Sequence, residues 1–87
     1  MIPTKHDNLK ISSDVNNLRL VERLIEDVCD VYNVHEDVYG NMLIAVTEAV
    51  NNAIHHGNKD NAEKVVKIGF ESRNNKLIFS VTDEGPG

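Results

Sequence analysis

The chain has 87 residues, 40% hydrophobic and 26% charged, with a net charge of −5, which suits one domain, or part of one, that buries less than about two-thirds of its unfolded surface. Nine Lys and Arg residues with no strong cluster exclude the basic face that nucleic-acid binding requires. The single cysteine, Cys29, excludes an internal disulfide or a cysteine-based zinc site and fits a reducing compartment.

No stretch is long and apolar enough to span a membrane, and "MIPTKHDNLK" lacks a signal-peptide core, so a cytoplasmic location is expected. "HDNLKISS" alternates around Leu9 and Ile11 and predicts a short strand. Ser13 or Asp14 then offers an N-cap. Leu18, Val21, Leu24, Ile25, Val28, Cys29 and Tyr32 recur at helical spacing and predict an amphipathic helix over Val15–Tyr32. "NVHED" interrupts it. A second helix is expected over Glu36–His56, burying Val38, Met42, Ala45, Val46, Ala49, Ala53 and Ile54, with Gly57 as a left-handed C-cap. "NKDNAEK" is a polar loop. "VVKIGFES" and "KLIFSVTD" predict two strands joined by "RNN", whose asparagines tolerate positive φ. The order β-α-α-β-β implies an α+β two-layer sandwich, with two helices on one face of an antiparallel or mixed sheet.

The polar side of the second helix, "NMLIAVTEAVNNAIHHGNK", is unusual. Glu48 and Asn52 stand four apart on one stripe, with Asn41 and His55 near the same line and His56 a turn beyond. A helix that merely faces solvent favours Lys, Glu, Arg and Gln there, because Asn competes for backbone hydrogen bonds. A carboxylate can orient or deprotonate a hydroxyl, and an amide oxygen can ligate Mg2+ that bridges phosphates. Together they suit phosphoryl transfer or nucleotide hydrolysis. A polar surface with a histidine-rich end is the plainer alternative at this point.

Other constellations fail. "HEDVY" begins like a zinc-protease helix, but Tyr39 stands where the second His belongs. Adjacent His55 and His56 point in different directions and cannot readily share a metal. No phosphate-binding loop of the G-x-x-x-x-G-K-[ST] type is present. Cys29 reads as core, and Arg19 and Arg23 as a solvated helix face.

"TEAVNNAIHHG" resembles the N-box of the GHKL ATPases, the superfamily of gyrase, histidine kinases and heat-shock chaperones. It is more narrowly similar to the anti-sigma-factor serine kinases, whose N-box reads E-A-x-x-N-A-x-x-H-G; Glu48, Ala49, Asn52, Ala53, His56 and Gly57 fill those positions. "DEGPG" resembles the G1 box, D-x-G-x-G, as Asp83, Gly85 and Gly87. The resemblance implies the GHKL (Bergerat) ATP-binding fold over residues 1–87 and an ATP- and Mg2+-dependent serine/threonine kinase. In it Asn52 holds Mg2+, Glu48 is the catalytic base or orienting group for the substrate serine hydroxyl, and Asp83 accepts from the adenine amino group. Gly85 and Gly87 let the backbone turn beside the base, while His56 and Gly57 line the phosphate side. Asn51 and His55 fall beside the motif and read as polar surface.

A sensor histidine kinase is disfavoured. His35-Glu36 lies far too close to Glu48 to be a phospho-acceptor, and no Arg and Pro follow it. The implied partners are an anti-sigma antagonist as substrate and a sigma factor, with a homodimer expected and no nucleic-acid or membrane partner. A non-catalytic interaction or nucleotide-binding module of the same fold is the alternative. The family's lid, second glycine-rich loop and closing strands have no counterpart up to Gly87. The resemblance therefore implies a partial domain, with weak or absent kinase activity in the 87 residues by themselves and an unpaired sheet edge.

Overall fold

A computed structural model of the chain describes residues 6–74 and 76–85. Strand β1 (His6–Ser12) leads through a 3-10 turn at Val15–Asn17 into helix α1 (Leu18–Val31). Helix α2 (Glu36–Asn52) continues into a single π turn at Ala53–Gly57, and strands β2 (Val65–Arg73) and β3 (Lys76–Thr82) follow. The sheet is antiparallel in the order β1-β2-β3, so β2 is central. The register pairs Leu9 with Ile68 and Ile68 with Val81, and aligns Phe70 with Phe79. The α+β sandwich and element order expected from the pattern are what form, and the sheet is wholly antiparallel.

Two helices pack on this sheet because each carries an apolar stripe while β2 alternates. Val66, Ile68 and Phe70 point inward and are buried, whereas Val65 before them and Lys67 between them are exposed. Val21, Leu24, Ile25, Val28 and Cys29 of α1 meet Val46 and Val50 of α2, and Ala53, Ile54 and Ile11 complete the core. Phe70 sits at its centre, with its ring centroid 5.8 Å from that of Tyr32 and 5.3 Å from that of Phe79. On β3, an edge strand among the described residues, Leu77, Phe79 and Val81 pack on this core but stay half-buried.

Local chemistry explains the boundaries. Asp14 caps the 3-10 turn by accepting from the Asn16 amide at 2.9 Å. Asn33, at φ 52°, closes α1, with Val34 N–H donating to the Cys29 carbonyl and Asn33 N–H to that of Asp30. This is the Schellman arrangement, and asparagine tolerates its left-handed residue. The His35 imidazole caps α2 by accepting from the Asp37 amide at 3.1 Å. Glu36 and Asp37 lie where the helix dipole favours negative charge. Asn74 takes φ 51° in the hairpin turn, as expected; its neighbour Asn75 lies outside the described residues.

Two expectations are corrected. On α2, Val38 is 49% exposed, and Ala45 and Ala49 also face outward. The buried line runs instead through Val46, Val50, Ala53 and Ile54, because α2 packs on α1 and the sheet along one side and leaves its other side open. Gly57 is not a left-handed cap. It remains inside the π turn without positive φ, and the left-handed residues are Lys59 (φ 52°) and Asp60 (φ 59°). Among the described residues no helix is long and apolar enough to cross a membrane.

Candidate functional site

The outward face of α2 carries Asn41, Glu48 and Asn52, all exposed, on one line. Ile44, 65% exposed, flanks the line on one side, and Val38, Ala45 and Ala49 flank it on the other. Polar groups able to handle a proton and a cation therefore stand in an open apolar surround. Ligand sites typically combine an apolar surround with a few oriented polar groups. His56 continues the line and is exposed, while His55 turns aside to pair its Nδ1 with Asp60 Oδ1 at 2.5 Å. Asn51, half-buried, lies off the line.

The π turn brings the end of this helix onto the loop that follows β3. A Cβ on Gly57 would stand 2.9 Å from Asp83 Oδ1 and nearer still to Cγ and Oδ2, so only glycine lets the Asp83 carboxylate seat there. A Cβ on Gly85 would meet the Gly57 carbonyl, with its carbon at 2.9 Å. The two glycines thus clasp Asp83 between backbones, the use of glycine that close approach demands. π turns interrupting α-helices recur at functional sites, and this one aims the backbone at the loop. Asp83 Oδ1 accepts from the Gly85 amide at 2.8 Å, bracing its own turn. Its Oδ2 lies against Gly57 and has no hydrogen-bond donor among the described residues.

Sequence reasoning missed Asn58, taken as the start of a polar loop. It is fully buried. Its Nδ2 donates to Ser13 Oγ at 2.7 Å and to the Val65 carbonyl at 2.9 Å, and its Oδ1 accepts from the Glu84 amide at 2.8 Å. Glu84 returns the link, its Oε2 accepting from the Val65 amide at 2.6 Å. A sequence signal existed: Asn58 falls four residues after Ile54 and eight after Val50, on the line that becomes buried.

Gly57, Asp83 and Gly85 are in mutual contact, and His56 adjoins them in the chain. Glu48 and Asn52 lie on the preceding turns of the same helix, facing outward. Gly87 lies outside the described residues. A concavity lined by Glu26, Asp27, Asp30 and Tyr39, around the α1–α2 junction, shares no residue with this line. Cys29 is buried against Met42, their sulfurs 3.7 Å apart, and burial pushes its thiol pKa up, so it is core as expected.

An exposed acid, an exposed amide and a carboxylate held between two glycines therefore lie along one helix and its adjoining turn. Comparison with curated proteins finds no match. Comparison with family models matches residues 11–87 to the histidine kinase-like ATPase domain, from β1 through the loop that holds Asp83. Membership carries an ATP-binding, kinase-like function at the level of the family. This chain belongs to the histidine kinase-like ATPase domain family.

Proposed function

We propose that this domain serves a cytoplasmic, Mg2+- and ATP-dependent serine/threonine kinase of the anti-sigma-factor type, acting on a serine of a regulatory antagonist protein and working as a homodimer. The observation that carries the proposal is the clasp of Gly57 and Gly85 around Asp83 at the end of the helix bearing Glu48 and Asn52. The clasp supports the reading because it holds the Asp83 carboxylate, with one oxygen lacking a donor among the described residues, at the end of the helix line that carries Glu48 and Asn52. The serine-kinase specificity and the partners are supported by the N-box pattern Glu48, Ala49, Asn52, Ala53, His56, Gly57.

Each residue has a task that its chemistry allows. Asp83 accepts from the exocyclic amine of adenine at Oδ2, with Gly85, and Gly87 after it, admitting the base beside the backbone. Asn52 holds Mg2+ through its amide oxygen, a hard ligand for a hard cation that takes most of its other ligands from phosphate and water. Mg-ATP, when bound there, would supply the γ-phosphoryl group and the positive charge that offsets its transfer. Glu48, exposed and one turn before Asn52, orients the substrate serine hydroxyl and takes its proton. His56 and Gly57 line the phosphate side.

The test is phosphate transfer from ATP to the antagonist protein by the intact kinase. Glu48→Ala lowers the rate by about 10²–10⁴-fold, with ATP affinity and melting temperature nearly unchanged because the side chain is exposed. Undiminished transfer by Glu48→Ala overturns the kinase proposal and leaves a non-catalytic interaction or nucleotide-binding module.

A further inference from the structure

We infer that Asn58 is the positioning residue that sets Asp83 for its ligand. It fixes the loop after β3 onto the end of α2, and this role rests on the proposal that Asp83 receives adenine. Asn58 ties its own turn to the ends of all three strands, two of its partners lying 45 and 26 residues away. Its backbone amide donates to the Ala53 carbonyl at 2.8 Å, closing the π turn. Its side chain reaches Ser13 after β1, Val65 at the start of β2 and Glu84 after β3.

The chemistry of the junction demands an amide of this length. One N–H2 group serves two acceptors and one carbonyl serves a backbone donor, a set that neither a carboxylate nor a hydroxyl supplies complete. Ser13 is itself spent, its Oγ donating to the Lys64 carbonyl at 2.9 Å while it accepts from Asn58. Among the described residues no buried side-chain polar atom lacks a partner. The bond from Glu84 N–H to Asn58 Oδ1 is the one that bears on the site, because Glu84 separates Asp83 from Gly85. With that amide pinned, the Asp83 carboxylate is held in the gap that Gly57 leaves. The Glu84 carboxylate adds a second, exposed tie to Val65. Asn58 touches no ligand and acts through the backbone of the loop.

A purely structural role and a positioning role separate experimentally. Asn58→Ala removes the acceptor for Glu84 N–H, whereas Asn58→Asp keeps an acceptor there and removes both donors. Ser13→Ala removes a tie that does not involve the loop. Titration of the protein with ATP is expected to show affinity about tenfold weaker for Asn58→Ala. Affinity within about threefold of the parent is expected for Asn58→Asp and Ser13→Ala, although both melt lower. Equal loss of affinity in all three variants, or none in a folded Asn58→Ala protein, overturns the inference.

Amide hydrogen exchange in the ligand-free protein provides a readout independent of nucleotide. The Glu84 amide exchanges faster by at least about tenfold in Asn58→Ala, while Val46 and Val50 on α2 stay protected. In Asn58→Asp it stays slow, and this variant decides the matter if Asn58→Ala does not fold. A Glu84 amide that is unprotected in folded Asn58→Asp, or unchanged in folded Asn58→Ala, overturns the inference. A parent protein that binds no ATP but shows the expected exchange pattern defeats the functional proposal and leaves the positioning of the loop intact.

Discussion

Gly57→Ala tests whether the close approach of helix and loop is real, because two effects of opposite sign compete there. Gly57 has no positive φ, so alanine fits the backbone, and by conformational entropy alone it stabilises by about 0.4–1 kcal/mol. Against this, its Cβ would stand 2.9 Å from Asp83 Oδ1 and overlap Cγ and Oδ2. Relief requires Asp83 to swing away, breaking its 2.8 Å bond from the Gly85 amide, or the loop to lift, breaking the Glu84–Asn58 bond at 2.8 Å. A bond to a charged acceptor is worth about 1.5–3 kcal/mol, and a neutral one whose loss orphans a buried group costs about 1–3 kcal/mol. The net expectation is destabilisation of about 1–2 kcal/mol, or roughly 5–15 °C in melting temperature for a domain of this size. Gly40→Ala is the internal control. It lies within α2 with nothing within 4 Å of its added Cβ, so it should stabilise by about 0.5–1 kcal/mol. Thermal denaturation followed by circular dichroism measures both. A Gly57→Ala protein that melts at or above the parent temperature refutes the seating of Asp83 against Gly57.

Two further outcomes follow from the core. Phe70→Ala should cost about 3–5 kcal/mol in denaturant unfolding, since Phe70 is 1% exposed and packs between Tyr32 and Phe79; a cost below 1 kcal/mol on the same scale would contradict its central place. Cys29 should resist alkylation in the native protein and react promptly once unfolded, because burial raises its thiol pKa. The folded state holds the thiol proton more tightly than the unfolded chain, so this contribution to stability is complete below the unfolded thiol pKa and is lost as pH rises through the folded value. Native-state alkylation as fast as that of a free thiol would refute the burial.

Much of the fold was legible because amphipathic periodicity reports burial against a plane. The stripe Val21, Leu24, Ile25, Val28 and Cys29 is buried as its spacing requires, and Val66, Ile68 and Phe70 alternate inward on β2. On α2 the same logic overreached. Its small residues Ala45 and Ala49 are apolar but belong to the outward face beside Glu48 and Asn52. Composition alone cannot separate apolar residues on a helix's outward face from those on its core side.

The identities of the candidate groups, Glu48 and Asn52 one turn apart and Asp83 before Gly85, were determined by the sequence through motif and spacing. Why position 57 is glycine was decided only by tertiary structure: it admits Asp83, 26 residues along the chain, and does not reverse the helix. Asn58 makes the same point, since its partners lie 45 residues before it at Ser13 and 26 after it at Glu84. Local propensity acts over a turn or two of chain, so it can say which face a residue occupies. What stands opposite that face depends on how the sheet and helices close, and here that closure sets the loop after β3 against the end of α2.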